Sequence, residues 1–278
     1  MQTQPPAGAT SLRVRSRDGT EIAYERKGHG PALVVVDGAL GFRAFGSARA
    51  LSDLLAPSLT VYLYDRRGRG ESGDTPPVAL AREIEDIEAL IDLAGGRASL
   101  YGISSGGALA LEAAVALGSK VERLALYEIP YDETDDGVRR WRAYRITLRD
   151  LLEAGRPGDA VELFMRLVGA SDAGVAGMRA QPVWATFEAV GPTLAYDAEA
   201  LGDDRLVPVD RAARVSARTL VMDGSASLEH MPFMRASAML LAEVIPGAQR
   251  RVIEGQAHDV DSQVLAPVLR EFLTQPQR

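Results

Sequence analysis

Residues 99–114 read SLYGISSGGALALEAA, and their reading decides the fold. A short apolar run is broken by Gly102-Ile103-Ser104-Ser105-Gly106, and an alanine- and leucine-rich helical pattern follows directly. The order is strand, sharp turn, helix. In a G-x-S-x-G turn the central serine sits at the tip in a strained backbone conformation, and its neighbours must be small because a flanking Cβ would clash. Ser104 is therefore the candidate nucleophile. The first amides of the next helix are aimed at whatever its oxygen attacks.

Toward the N-terminus the pattern is that of a sheet. Residues 1–10 are polar and Pro/Gly-rich and read as a loose tail. SLRVRS and EIAYERK, separated by Asp18-Gly19, read as a hairpin. Ala32–Val36 is a continuous apolar run, the mark of a strand buried on both faces, and ends in Asp37-Gly38-Ala39-Leu40-Gly41. Ligand sites in open parallel sheets lie beyond the carboxyl ends of strands, so the Gly38 amide is expected near Ser104, where it could help bind an oxyanion. A helix near 46–56, a strand at 59–64 and an amphipathic helix at 80–94 follow. The loop between the last two, Asp65-Arg66-Arg67-Gly68-Arg69-Gly70-Glu71, has neither a Walker lysine nor a G-x-G-x-x-G spacing. It reads as a salt-bridged, self-packed loop rather than a phosphate cradle.

Toward the C-terminus, strand 121–127 delivers Glu128 just before Ile129-Pro130. An acid at the end of a buried strand is costly unless paired, which makes Glu128 a candidate to orient a histidine. Residues 131–215 break the strand-helix alternation, with helical patterns at 138–154, 158–168 and 183–190, and read as a lid over the sheet. Trp141, Phe164, Trp184 and Phe187 supply its bulk. Alternation resumes with strand 217–222, helix 232–243, strand 249–253 and helix 260–273. The expected organisation is an α/β core over 1–130 and 216–278 with a helical cap at 131–215.

Composition narrows the function. A net charge of −7 and the lack of cysteine argue against nucleic acid or an anionic membrane as partner, and against disulfides, a thiolate nucleophile or a Cys-ligated metal. No run of about 18 apolar residues occurs, and the first residues lack a signal-peptide core, so a cytoplasmic protein is expected. Oligomeric state is left open, a homodimer included. A serine hydroxyl needs a base within reach and an acid to fix the base's tautomer. Of three histidines, His29 precedes the buried strand, His230 lies near a helix start, and His258 alone follows the last strand. The order Ser104, acid, His258 is that of hydrolases with a nucleophile elbow. Glu128, Asp223 and Glu229 compete for the acid. The expected reaction is acyl transfer from an ester carbonyl through side chains alone, without cofactor or metal, with the amides of Gly38 and Ser105 as oxyanion donors. A haloalkane dehalogenase or epoxide hydrolase would need a carboxylate where Ser104 stands.

Over nearly its whole length this pattern resembles the α/β-hydrolase superfamily, implying a mostly parallel eight-stranded sheet with an inserted cap. Asp37-Gly38, Gly102-Ile103-Ser104-Ser105-Gly106, Glu128, Pro182-Val183-Trp184 and His258 resemble the fungal zearalenone-type lactone hydrolases. That resemblance implies Glu128 as the acid, whereas most of the superfamily would place it near Ser227. It also implies a lactone substrate lined by Trp184. The rival is a ligand-binding protein without turnover, or a biosynthetic cyclase or thioesterase, built on the same fold.

Overall fold

The structure, a computed structural model, describes residues 11–275; the tail expected at 1–10 lies outside them. The core is an eight-stranded sheet in the order β1-β2-β4-β3-β5-β6-β7-β8. β1 (Leu12–Arg15) and β2 (Glu21–Lys27) form the expected hairpin, and β2 also pairs antiparallel with β4 (Thr60–Tyr64). β3 (Ala32–Val36), β5 (Ala98–Ile103), β6 (Val121–Tyr127), β7 (Arg218–Gly224) and β8 (Gln249–Ile253) run parallel to one another and to β4.

Two-residue alternation sorts these strands into two cores. Val34, Val36, Leu100, Leu124 and Leu126 face α2 (Leu80–Leu93) and α3 (Ser105–Leu117). Leu33, Val35, Tyr101, Ala125 and Tyr127 face α1 (Ala48–Leu55) and α11 (Ser262–Thr274). Each large side chain so buried contributes about 1.5–3 kcal/mol. Because the central strands are parallel, the chain segments after β3, β5, β6, β7 and β8 all emerge at one edge. That edge carries Gly38, Ser104, Glu128, Ser227 and His258.

Between β6 and β7 the chain is helical: α4 (Asp135–Glu153), α5 (Pro157–Leu167), α6 (Asp172–Arg179), α7 (Trp184–Val190), α8 (Leu194–Leu201) and α9 (Val209–Ala212). Three of these match the expected patterns. α6 escapes a periodicity argument because DAGVAGMR buries only Val175 and depends on the Ser171 hydroxyl, which caps the Gly174 amide at 3.1 Å. α8 escapes it for the opposite reason. Six of its eight residues are buried, Asp197 among them, so it has no polar face to give a period. Outside this segment, Pro232–Val244 forms α10. No helix among the described residues is long and apolar enough to cross a membrane.

Candidate active site

Ser104 joins β5 to α3 with φ 56° and ψ −131°, the strained elbow expected from its neighbours. The glycine requirement is steric. A Cβ on Gly106 would lie 2.3 Å from the Asp37 carbonyl oxygen, and one on Gly102 would lie 2.5 Å from the Gly106 oxygen. The elbow thus presses against the end of β3, and the Ser104 amide donates to the Tyr127 carbonyl at 3.0 Å.

Glu128 is 1% exposed and also adopts a positive φ, 44°. Its Oε1 accepts the Gly224 amide at 2.8 Å, and its Oε2 accepts the Ser227 hydroxyl at 3.0 Å. The same Oε2 lies 3.0 Å from His258 Nδ1. A carboxylate there can only accept, so Nδ1 carries the ring proton and Nε2 is left as the acceptor. Ser227, near which most of the superfamily was expected to carry an acid, instead donates its hydroxyl to a carboxylate that follows β6. Asp223 is engaged elsewhere: fully buried, it pairs with Arg235 at 3.0 Å and Arg250 at 2.7 Å. The Glu229 carboxylate is 81% exposed and lies 4.0 Å from His230, and His29 is exposed in its turn.

Ser104 and His258 line one cavity of about 610 Å³, bounded on the sheet side by Asp37, Gly38 and Ala39 and on the helical side by Trp141, Tyr144 and Phe164. No hydrogen bond joins Ser104 Oγ to His258 in this geometry; both groups face the same space. His230 reaches the cavity with a side chain 78% exposed, whereas a third of the His258 side chain is exposed.

Two expected residues stand differently. The Gly38 N–H donates to Asp37 Oδ1 at 2.8 Å and is not free for an oxyanion. The N–H groups of Ala39 and Ser105, by contrast, have no acceptor among the described residues. The reason lies in Arg69, whose Nη1 holds the Gly38 carbonyl at 2.5 Å. In a trans peptide C=O and N–H point opposite ways, so holding the Gly38 carbonyl from behind turns the Ala39 N–H away from Arg69. Trp184 does not line the cavity. Its ring packs against Phe187 at 6.5 Å and beneath the Arg179 guanidinium at 5.6 Å, and Trp141 forms the cavity wall instead.

Asp197, on α8, is a residue the sequence reading missed. It lines the cavity while accepting bonds from Ser105 Oγ (2.7 Å), Arg66 Nη1 (2.7 Å) and Arg69 Nη2 (2.8 Å). Burial would raise its pKa, but the Arg69 and Arg66 charges and the Ser105 hydroxyl outweigh that and hold the carboxyl below its ordinary value. Arg66 also pairs with Glu83, and Arg67 with Asp86 and Asp18, so the arginine loop is salt-bridged as expected, though it reaches far beyond itself. Burial raises the pKa of Asp37, and the Gly38 amide only partly offsets it. The one signal for Asp197 was an acid in the mostly apolar LAYDAEAL, which also carries the exposed Glu199.

Comparison with known proteins agrees with this fold. An alpha/beta hydrolase from Sphaerobacter thermophilus DSM 20745 is 47% identical, with a TM-score of 0.83 over 95% of this chain and 100% of its own. An esterase from Thermogutta terrifontis (23% identity, TM-score 0.70, 95% of this chain and 98% of that one) shares the fold. So does an esterase from Exiguobacterium antarcticum (19%, 0.71, 96% and 100%). At such identities these two likenesses concern the fold alone. No curated protein matches the sequence. Residues 14–260 match the family model described as "Alpha/beta hydrolase family". With its eight-stranded, mostly parallel sheet, the chain belongs to the alpha/beta hydrolase family.

Proposed function

We propose that this chain is a serine hydrolase of carboxylic esters, working through Ser104, His258 and Glu128. The observation that carries the reading is the 3.0 Å contact of Glu128 Oε2 with His258 Nδ1, made at the edge of the cavity that Ser104 lines. The Glu128 carboxylate keeps the Nδ1 proton in place, so Nε2 can take the Ser104 proton as the hydroxyl attacks the ester carbonyl. Catalytic hydrogen bonds are often loose before substrate binds and tighten with it, which suits the separate placement of Ser104 and His258. The tetrahedral oxyanion then accepts from the Ala39 and Ser105 N–H groups, fixed donors that need no reorganisation. His258 returns its proton to the leaving alcohol, and the same sequence with water in place of Ser104 frees the acid and the serine.

A lactone is the narrower substrate class we propose, because the acid comes from β6, as in the lactone hydrolases that the sequence resembles. A lactone's alcohol stays tethered after ring opening, so the cavity must hold acid and alcohol together. Its volume of about 610 Å³ falls inside the range of roughly 300–1,000 Å³ of pockets that enclose drug-sized ligands. The experiment is a turnover panel of p-nitrophenyl esters and lactones of graded ring size, zearalenone included. Hydrolysis of the esters supports the serine hydrolase, and a higher kcat/KM on lactones supports the narrower class. A folded protein that turns over neither, yet binds them, would be a receptor.

A further inference from the structure

Arg205 lies on the chain between α8 and α9 with φ 56°, its carbonyl accepting the Asp132 amide at 2.9 Å. Its guanidinium lies over two aromatic rings, 5.4 Å from the Trp141 centroid and 5.2 Å from that of Phe233. A planar guanidinium donates in its own plane, so packing over aromatic faces leaves its N–H groups available. One of them is used, Nη2 to Asp132 Oδ2 at 3.1 Å. Nε is buried without a partner, and Nη1 makes no hydrogen bond among the described residues. The residue is 8% exposed, yet it lines the same cavity as Ser104 and His258.

Its one close counter-charge is the buried Asp132 carboxylate. Arg140 lines the cavity as well, and its own partner, Asp136, pairs with it at 2.9 Å out in solvent. Of the other acids on the cavity wall, Asp197 is taken by Arg66 and Arg69, Asp37 sits beside the elbow with its carboxyl pKa raised, and Asp259 is exposed. Burial presses the Arg205 pKa down, Asp132 restores it in part, and Arg140 lowers it further. This is a buried cation whose counter-charge, Asp132, engages Nη2 alone and leaves Nη1 unpartnered on a residue that lines the cavity.

We propose that the catalytic cavity takes an ester or lactone bearing a carboxylate, which docks on the unpartnered Nη1 of Arg205 with Arg140 beside it. The assignment rests on the hydrolase reading for turnover but not for binding. A carboxylate oxygen accepts from a guanidinium N–H in a charge-assisted bond, and a buried pair of that kind discriminates strongly against a neutral isostere. Arg205 and Ser104 line the same cavity of about 610 Å³, so one ligand can meet both.

The test compares p-nitrophenyl hydrogen glutarate with its neutral methyl ester. The wild type is expected to prefer the anionic substrate in kcat/KM by at least ~10-fold, the size of one charge-assisted hydrogen bond, and to lose part of the preference at high salt. Arg205→Gln is expected to remove that preference, Arg205→Lys to keep part of it, and Arg140→Gln to reduce it less. Equal turnover of the two esters by the wild type overturns the proposal, and so does an Arg205→Gln variant that slows both alike. If neither ester is hydrolysed, calorimetry with N-phenylglutaramic acid and its methyl ester separates the two claims. Tighter binding of the acid, lost in Arg205→Gln, keeps the subsite while the hydrolase reading falls, and equal binding overturns the subsite too.

Discussion

Replacing Glu128 with glutamine tests the proton path at its most informative atom. The side chain keeps its shape, and its bonds show how it will settle. Oε1 accepts the Gly224 amide, a fixed backbone donor, so the glutamine oxygen stays there. The new NH2 group then faces both the Ser227 hydroxyl and His258 Nδ1, where Oε2 stood. Ser227 can turn its hydroxyl and accept. His258 can accept only by moving its proton from Nδ1 to Nε2, the atom that must receive the proton of Ser104. The fold is kept and the ring is held in the wrong tautomer. The expected loss in kcat is at least ~100-fold and up to ~10⁴-fold, about 2.7 to 5.4 kcal/mol of transition-state stabilisation. The assay is steady-state hydrolysis of a p-nitrophenyl ester, with near-ultraviolet circular dichroism to establish folding. Asp223→Asn is the control: it weakens the Arg235 and Arg250 pairs and is expected to lower the unfolding temperature more than kcat. A kcat for Glu128→Gln within about fivefold of wild type, or a larger kcat loss in Asp223→Asn, would refute the tautomer argument, since either lies far below the losses that triad acids show.

Arg69→Met removes the clamp on the Gly38 carbonyl, and kcat is expected to fall by roughly 10- to 100-fold, at or below the cost of one lost oxyanion donor, with KM for a small ester little changed. A raised KM at unchanged kcat would make Arg69 a shaper of the pocket instead. Trp184→Ala empties a packed position of the helical segment; thermal or denaturant unfolding should report a loss of about 3–5 kcal/mol, while KM stays near wild type. A rise in KM without loss of stability would return Trp184 to the substrate. At Asp18 burial raises the pKa, and the Arg67 and Thr20 hydrogen bonds more than reverse it, so the folded value lies below the unfolded one. Its stabilisation is therefore present above an unfolded pKa of about 3.9 and is lost as pH falls through the folded value. Asp18→Asn should flatten the acid limb of unfolding temperature against pH, and an unchanged limb would contradict the pairing.

What the sequence discloses and what it hides divide along physical lines. The apolar strands, the elbow and the place of His258 after the last strand were legible because each is written in a local pattern or a chain order that chemistry restricts, whereas spacing left Glu128, Asp223 and Glu229 competing and only the resemblance singled out Glu128. The links around Asp197 were not, because its partners Arg66 and Ser105 are 131 and 92 residues away, and no local period records them. Gly38 was misjudged for a local reason. The preceding aspartate turns back onto its amide, and a distant arginine decides which peptide N–H is left free. Trp184 showed an aromatic in the helical segment but not which way the helix would turn it. The Trp141 and Phe233 rings around Arg205 come together only once the segment between β6 and β7 has folded back over the sheet.

Ser104 as an acyl-accepting nucleophile activated by His258 is the claim on which the account stands. Mass spectrometry of the intact protein after a serine-directed phosphonate, with the adduct mapped to a peptide, measures it without presupposing a substrate. A single adduct on Ser104, formed far more slowly in His258→Ala, is the predicted result. An adduct on another residue, or none at all from a folded protein that still hydrolyses esters, contradicts it.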